Sequence, residues 1–302
     1  MNIKEKVKDL QDKYEDRFFY IFIKELFTGI IDNEVMASAA ALTYYFILSI
    51  FPLLIFLLGV ISFTSLVGED IVSTLLRILP DDARNVVGGI VNELVSTKSE
   101  TLVSTSIILS LWTGSLGISG LFKAINKAYD TKETRNYFIR KFLSIVFTIA
   151  LAVLMIIVLS TLVFGELIAT QIFAYFGAEE FFYQFWQTVR IIVPILSMVF
   201  MFTSLYMIAP STKNFGRIKL RFAIPGAVFT TVGWILTSLV FSFYVKNFGN
   251  YTTTYGSLGG IIILLVWLNL TNVIIVIGAE LNGAYRTTSN IIKANKNNKR
   301  II

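Results

Sequence analysis

Polar side chains recur at helical spacing within otherwise apolar stretches of this chain. In the last such stretch, Glu280 follows Asn272 by eight residues and Asn269 by 11, so one helical stripe would carry all three. Ionisable groups at membrane depth are costly and mark candidate functional sites. We therefore predict that these side chains line a hydrated cavity. The alternative is that both amides hydrogen-bond neighbouring helices and that Glu280 reaches the interface.

A second polar stripe lies in the first apolar stretch, where Ser38, Tyr45, Ser49 and Pro52 follow one another at spacings of seven, four and three residues. Pro52 has no N–H for the carbonyl of Leu48, which predicts a kink. Hydroxyl groups in such stripes also bond back to their own helix without further function. The fifth apolar stretch adds Thr231, Ser238 and Ser242. Together these stripes predict a polar pathway lined by Tyr45, Ser49, Pro52, Asn269, Asn272 and Glu280.

The composition removes most familiar enzyme chemistry. The chain contains no His and no Cys, which excludes thiolate catalysis, disulfides and the usual zinc and haem ligands. Metal sites built from carboxylates alone are not excluded by this composition. The sequence has no P-loop, no dinucleotide-binding glycine fingerprint, no nucleophile elbow and no metal-ligand cluster. We therefore predict no cofactor, no bound metal, no catalytic residues and no enzymatic activity.

The elements that must position the polar residues are transmembrane helices. The chain is 55% hydrophobic and only 15% charged, against about 25% in soluble domains, and its mean hydropathy is +0.70. A bilayer core of about 30 Å needs about 20 apolar residues per helix. Six stretches qualify, and the second is the weakest because Gly114, Gly117 and Gly120 interrupt it. The predicted spans are 39–63, 101–121, 142–165, 188–209, 222–245 and 256–281.

The distribution of basic residues predicts the orientation. The 26 Lys and Arg residues fall mainly in four segments, which are the start, the loops after spans two and four, and the tail. The positive-inside rule places these segments and both termini in the cytoplasm. The exceptions are Arg77, Arg84, Lys98, Arg190 and Lys246. The prediction is an all-α, six-helix bundle in the bacterial cytoplasmic membrane.

Two further segments have the periodicity of amphipathic helices. Residues 1–30 carry apolar side chains at spacings of three and four, which predicts a cytoplasmic helix that lies on the inner leaflet or packs against the bundle. Residues 64–100 predict two short helices, joined at Pro80, that cap the bundle or rest in the outer interface. The transmembrane domain would occupy 31–283, and a basic tail would occupy 284–302.

The basic character indicates anionic lipid rather than nucleic acid. The net charge of +6 and the pI of about 9.3 arise from basic residues spread over four segments, without the interleaved aromatic residues of an RNA-binding surface. Anionic headgroups on the cytoplasmic side are the predicted partners. Arg135, with Asn126 nearby in the sequence, is the predicted contact for a phosphate or another anion at the inner mouth.

Several separated motifs resemble the YihY/BrkB family of bacterial inner-membrane proteins. They occur in one order between about residues 34 and 283. They are Ala41-Leu-Thr-Tyr-Tyr-Phe-Ile-Leu-Ser-Ile-Phe-Pro-Leu-Leu54, Leu111-Trp-Thr-Gly-Ser, Asn126-Lys-Ala-Tyr129 with Arg135, Tyr206, Pro210, Pro225-Gly226, Tyr244, Tyr255-Gly-Ser-Leu-Gly259, Trp267 and Gly278-Ala-Glu280. The resemblance implies six membrane helices. It carries an old ribonuclease label that these residues do not support, and it implies no agreed functional residues.

The leading functional prediction is a secondary transporter, or a translocator of a lipid or small solute, with its path between spans one, five and six. The resemblance adds to this, because some relatives are connected with movement of lipid-like or small solutes. The alternative is a membrane scaffold that binds partner proteins through residues 1–25 and the outer segment. A membrane-embedded enzyme ranks third, and a ribonuclease ranks last.

Overall fold

The computed structural model describes residues 18–63, 100–154, 179–211, 218–248 and 258–298. These residues form seven helices and, within these ranges, no strand. In chain order the helices are α1 (Phe18–Asp32), α2 (Val35–Phe63), α3 (Glu100–Ala128), α4 (Tyr137–Leu154), α5 (Glu179–Ile208), α6 (Leu220–Phe248) and α7 (Leu258–Asn298). The predicted all-helical class is therefore confirmed for the described part of the chain.

Five helices contain stretches that are long and apolar enough to cross a membrane, namely Ile107–Ala128, Tyr137–Leu154, Thr188–Ile208, Leu220–Asn247 and Gly259–Asn297. They correspond to the second to sixth predicted spans. The first predicted span lies in α2, a helix of 29 residues whose described apolar part is Val35–Ser49. The total of six spans and the orientation of the termini stay predictions.

The helix α7 is longer than the sequence pattern predicted. It has 41 residues, a length of about 60 Å at 1.5 Å per residue, which is twice the thickness of a bilayer core. The predicted sixth span ended at residue 281. Residues 284–298 of the predicted tail instead continue the same helix. One rigid element therefore joins the membrane region to the basic C-terminal segment.

The helix α1 packs against α7, which is one of the two predicted arrangements for the amphipathic start. The ring of Phe18 lies 5.7 Å from that of Tyr285. The opposite side of α1 exposes Phe19, Phe27 and Ile31, an apolar surface suited to lipid. Residues 1–17 lie outside the described part, as does the predicted outer segment from residue 64 to residue 99.

The buried side chains gather toward one end of the helices. They come from the start of α2, the ends of α3 and α5, the start of α6 and the second half of α7. Large fully buried members are Tyr206, Phe122, Leu42, Ile125, Val35 and Val276. In the predicted orientation this core lies in the cytoplasmic half. Asn272 and Glu280 of α7 are buried in this region, and Asn269 is half-buried.

The glycines of α3 form a contact surface for α2. A Cβ atom at Gly117 would lie 2.9 Å from Cε1 of Phe46, and one at Gly120 would lie 3.0 Å from Cδ2 of Leu42. The second span is the weakest apolar stretch, as the sequence predicts, and its mean hydropathy of 1.3 is the lowest of the five. Because small residues let two helices approach closely, the glycines of this stretch also support its packing.

Candidate functional site

Glu280 of α7 meets the corner between α1 and α2. The side-chain amide of Asn33 donates to both carboxylate oxygens, at 2.9 Å to Oε1 and 3.2 Å to Oε2. Gly29 lies directly beneath the carboxylate, because a Cβ atom there would be 2.5 Å from Oε2. The following turn contains Glu34 with φ of 52°, a strained left-handed conformation for this residue type. A tight corner therefore holds the donor against the acid.

Glu280 is 2% exposed, and it is the one acidic or basic residue in the buried set of the described chain. The nearest ion pair joins Lys127 Nζ to Glu34 Oε2 at 3.9 Å, with both side chains largely exposed. The described residues place no cation in ion-pair contact with Glu280 itself. Burial of a carboxylate whose only partner is an amide donor costs a few kcal/mol, as it does for other ionisable groups in membrane helices.

Asn269 and Asn272 bind the first apolar helix. The Asn272 amide donates to Thr43 Oγ1 at 3.0 Å, and the Asn269 amide reaches the same oxygen at 3.5 Å. The Thr43 hydroxyl in turn donates to the carbonyl of Ala39 at 2.8 Å. These bonds link α7 to α2. Both amides therefore hydrogen-bond a neighbouring helix, as the packing alternative expects.

Tyr45 and Ser49 lie on another face of α2, where they meet α3. Tyr45 lies beside Gly120 of α3, and the Cβ atom of Ser49 lies near Gly114. The Ser49 hydroxyl donates to the carbonyl of Phe46 at 2.8 Å. The side chain of Pro52 lies outside the described part. The structure thus brings Asn269 and Asn272 together, and it places Tyr45 and Ser49 toward a different neighbour.

Asn282 provides an inter-helix link that the sequence patterns did not reveal. Its Oδ1 accepts from the Gly226 N–H at 2.7 Å, and its Nδ2 donates to the carbonyl of Ala223 at 3.0 Å. Pro225 lies between these two residues of α6 and lacks a backbone donor. The buried amide of Asn282 therefore joins α7 to the backbone of α6 on either side of Pro225.

Tyr206 links α5, α6 and α7. Its hydroxyl donates to the carbonyl of Ile275 at 2.7 Å and lies 2.7 Å from Thr230 Oγ1. The backbones come close beside this bond, because a Cβ atom at Gly278 would contact Thr230 Oγ1 and one at Gly226 would contact the Gly278 carbonyl. Because of this tight contact, α7 cannot move without α5 and α6.

Asn126 and Arg135 come together at the end of α5, as their predicted shared site requires. The Arg135 guanidinium donates to both carboxylate oxygens of Glu133 at 2.8 and 2.9 Å and to the carbonyls of Ile208 and Ala209 at 3.1 and 2.6 Å. Asn126 Oδ1 accepts from the Ser211 N–H at 2.7 Å. These groups cap the carbonyl end of α5. Binding of an external anion by them stays a prediction.

The loop carboxylate of Glu133 has a shifted pKa. Partial burial alone would raise this pKa, but the guanidinium of Arg135 more than offsets that effect. The pKa of Glu133 therefore lies below its ordinary value. The neighbouring Tyr129 is buried, which raises the pKa of its hydroxyl above the ordinary range. Both groups therefore hold one charge state near neutral pH.

Comparison with known proteins identifies the family of this chain. The family model described as virulence factor BrkB matches residues 26–301, which is nearly the whole chain. The chain belongs to the BrkB family. This membership confirms the resemblance, and the BrkB-family match includes every helix described above except the first part of α1.

The relatives of this BrkB-family chain include proteins named as membrane proteins and one named as ribonuclease-like. A ribonuclease-like protein, YfkH, from Bacillus subtilis (strain 168) is 38% identical over 261 residues, covering 86% of this chain and 94% of the relative. The UPF0761 membrane protein VSAL_I2938 of Aliivibrio salmonicida is 26% identical over 271 residues, covering 88% and 82%. A UPF0761 membrane protein of Pseudoalteromonas atlantica is 28% identical, covering 86% and 84%. No solved structure matches.

The sequence of this BrkB-family chain reveals most of the candidate residues but not the side chains that hydrogen-bond them. Glu280, Asn272 and Asn269 were found because they interrupt an apolar stretch. Asn33 and Thr43 were not found, since a polar residue at a helix end or a lone threonine is common. Asn282 had a usable signal: it lies two residues after Glu280, in the same helix.

Proposed function

We propose that this membrane protein moves a lipid or a small solute across the bilayer, with α7 as the element that shifts against α1 and α2. The path would run between α2 on one side and α6 and α7 on the other, beside Asn269, Asn272 and Glu280. Tyr45 and Ser49 face α3 and lie away from this path. Membership in a family with membrane-protein relatives supports the membrane location that this proposal requires. The finer claim depends on one observation, which is the environment of Glu280.

The Glu280 carboxylate is buried and receives hydrogen bonds from one neutral side chain. A residue that served packing alone would be less costly as Gln or Leu at this depth. A carboxyl group offers a property that those residues lack, because its charge can be neutralised by a proton or by a cationic group of the solute. Neutralisation would weaken the bonds from Asn33, since donors bind an ionised carboxylate more strongly. The joint between α1 and α7 would then loosen.

The remaining contacts of α7 differ between the helices that it touches. The amides of Asn269 and Asn272 share one oxygen of Thr43, and one of those bonds is as long as 3.5 Å. In contrast, Asn282, Gly278 and Tyr206 hold α7 tightly against α5 and α6. We therefore propose that α5, α6 and α7 move as one body relative to α1 and α2.

Reconstitution in liposomes tests this function. The purified full chain would be inserted into vesicles with a fluorescent phosphatidylglycerol analogue in both leaflets, and an impermeant reductant would report movement between the leaflets. We expect Glu280→Gln to slow this movement by more than about tenfold, the factor that about 1.4 kcal/mol of barrier produces. Asp32→Asn is the matched control, because it replaces an exposed carboxyl at the end of α1.

Two results would count against the proposal. Equal movement by Glu280→Gln and wild type, with equal insertion, would remove Glu280 from the mechanism. Wild-type vesicles no faster than protein-free vesicles, both for the lipid analogue and for a panel of small fluorescent anions, would contradict translocation itself. The second result would favour the scaffold alternative.

The scaffold alternative has one observation in its favour. Asn272, Asn282 and Tyr206 each hydrogen-bond a neighbouring helix, so packing accounts for these three buried side chains without a pathway. Truncation separates the two functions. A scaffold loses its partners when residues 1–25 are removed and is unaffected by Glu280→Gln, whereas a translocator responds to Glu280→Gln.

We propose no enzymatic activity. The ribonuclease-like wording belongs to the name of the Bacillus subtilis relative. This chain has no His, and the described residues contain no cluster of acidic side chains that would hold a metal ion. Incubation of the purified protein with labelled RNA and Mg²⁺ checks this, and we expect no cleavage above that of a mock purification.

A further inference from the structure

A cleft with a basic lining lies between α2, α3 and α4, away from the Glu280 joint. Its volume is about 150 Å³, well above the roughly 10–15 Å³ that one water molecule needs. Three of its lining residues are cationic and none is acidic. Its polar lining consists of Tyr45, Ser119, Lys123, Tyr137, Arg140 and Lys141. The described residues place no carboxylate within ion-pair distance of these three cations.

One cation of the cleft is held in a fixed position. Lys141 Nζ donates to Ser115 Oγ at 2.6 Å and to the carbonyl of Trp112 at 3.4 Å, and it lies 3.9 Å from the centre of the Trp112 ring. An ammonium group has three donors, so these two bonds leave one N–H for a ligand. The guanidinium of Arg140 lies over the ring of Tyr137 at 5.9 Å. The positive charge is thus positioned before a ligand arrives.

Exposed aromatic side chains surround the cleft. Trp112 is 51% exposed beside Lys141, Phe138 is 78% exposed and its ring lies 5.8 Å from that of Tyr137, and Tyr44 is 61% exposed and lies 5.6 Å from Tyr45. Aromatic and basic residues meet in this way at the headgroup level of a bilayer. A ligand of the cleft would therefore combine an anionic group with apolar chains.

We propose that this cleft binds the phosphate of an anionic phospholipid headgroup, with the acyl chains lying against the exposed aromatic rim. The charge of the three cations is complementary to such a phosphate, and the predicted orientation places the cleft at the anionic inner leaflet. The predicted anion contact at Arg135 differs in one respect. Arg135 already donates to Glu133 and to two carbonyls, whereas Lys123 and Arg140 have no acidic partner among the described residues.

Native mass spectrometry of the full-length protein tests this site by binding rather than by transport, so its outcome is independent of the translocation proposal. The protein in detergent would be titrated with dioleoyl phosphatidylglycerol and, separately, with dioleoyl phosphatidylcholine. We expect a preference for phosphatidylglycerol. The double variant Lys123→Gln with Arg140→Gln should lose about fivefold in affinity for each charge removed, or roughly 25-fold in total.

Two further variants serve as controls for the loss of positive charge. Lys132→Gln with Lys219→Gln removes the same charge from exposed positions outside the cleft and should keep the affinity. Lys123→Arg preserves the charge and should bind within about twofold of wild type, since a guanidinium also donates hydrogen bonds to phosphate. Unchanged affinity in the neutralised variant, equal loss in the outside control, or loss in the charge-preserving variant would each overturn the proposal.

Free phosphate is distinguished from lipid in the same experiment. Glycerol phosphate at the concentration of the lipid should not displace it, because the acyl chains contribute to binding at the aromatic rim. Full displacement would overturn the lipid assignment in favour of a soluble phosphate ligand.

Discussion

Asn282 illustrates how one side chain stabilises a helix other than its own. Its amide supplies both an acceptor for Gly226 and a donor for Ala223, on either side of Pro225. These two bonds attach α7 to the first turns of α6. The sequence shows the proline and the asparagine, but their pairing depends on how α6 and α7 pack.

Replacement of Asn282 by Ala should destabilise the protein by about 1–2 kcal/mol, because a buried backbone N–H loses its partner in an apolar environment. Thermal unfolding in detergent measures this as a lower midpoint. Asn290→Ala, at an exposed position of the same helix, is the control and should leave the midpoint unchanged. Equal midpoints for the two variants would contradict the bridging of α6 by Asn282.

The ion pair of Glu133 with Arg135 predicts a pH dependence of stability. The folded state holds the pKa of Glu133 below its value in the unfolded chain. The contribution of the ion pair to stability is therefore complete above the unfolded pKa and is lost as the pH falls through the lower folded pKa. Wild type should lose stability more steeply under acid than Glu133→Gln does. The unfolding midpoints of both proteins would be compared from neutral pH downward. Parallel curves would show that this ion pair has no effect on stability.

Helix packing accounts for most differences between the predicted and the observed elements. The glycines of α3 lower the hydropathy of its span, but hydropathy and periodicity alone do not show which surface a neighbouring helix will occupy. The contact of Gly117 with Phe46 shows that this surface receives α2. Likewise, α7 continues past residue 281, since the polar segment up to residue 298 contains no Pro and no glycine after Gly283. The apolar stretches themselves were predictable from length and hydropathy.

The close approach of α6 and α7 makes Gly278 sensitive to any added atom. A methyl group there would contact Thr230 Oγ1 and lie 2.7 Å from the Tyr206 hydroxyl, which would separate the helices. We expect Gly278→Ala to lower the yield of folded protein severely, with destabilisation of several kcal/mol, at or above the roughly 1–3 kcal/mol typical of overpacking. Gel filtration of the detergent extract measures it.

Gly233→Ala is the control for this contact. It adds the same methyl group to the same helix pair, where the nearest atom is Cγ2 of Ile274 at 3.2 Å. That side chain can shift, so Gly233→Ala should give nearly wild-type yield. A similar loss in both variants would contradict the assignment of the effect to the close contact at Gly278, because Gly→Ala by itself favours the helix.

The whole molecule places its buried core, its polar joint and its basic cleft toward the same end. If the predicted orientation holds, this end faces the cytoplasm and the anionic leaflet. The distribution of basic residues could be read from the sequence, whereas the joint could not, because Asn33 and Glu280 lie 247 positions apart.

Single cysteines test the orientation cleanly, because the chain has none of its own. Lys246→Cys should react with an impermeant maleimide in intact cells, since the positive-inside prediction places the end of α6 outside. Lys132→Cys, in the loop between α3 and α4, should react only after the membrane is opened. The reverse pattern would invert the orientation and would place the basic cleft at the outer leaflet.

The central claim is that α7 shifts relative to α1 when the Glu280 carboxyl is neutralised. The most direct measurement is the distance between spin labels at Lys24→Cys on α1 and Thr287→Cys on α7, both exposed positions, in lipid nanodiscs. We predict that adding Glu280→Gln shifts the distance distribution toward a second population, because the charge-assisted bonds from Asn33 are lost. Identical distributions with and without Glu280→Gln would contradict the account.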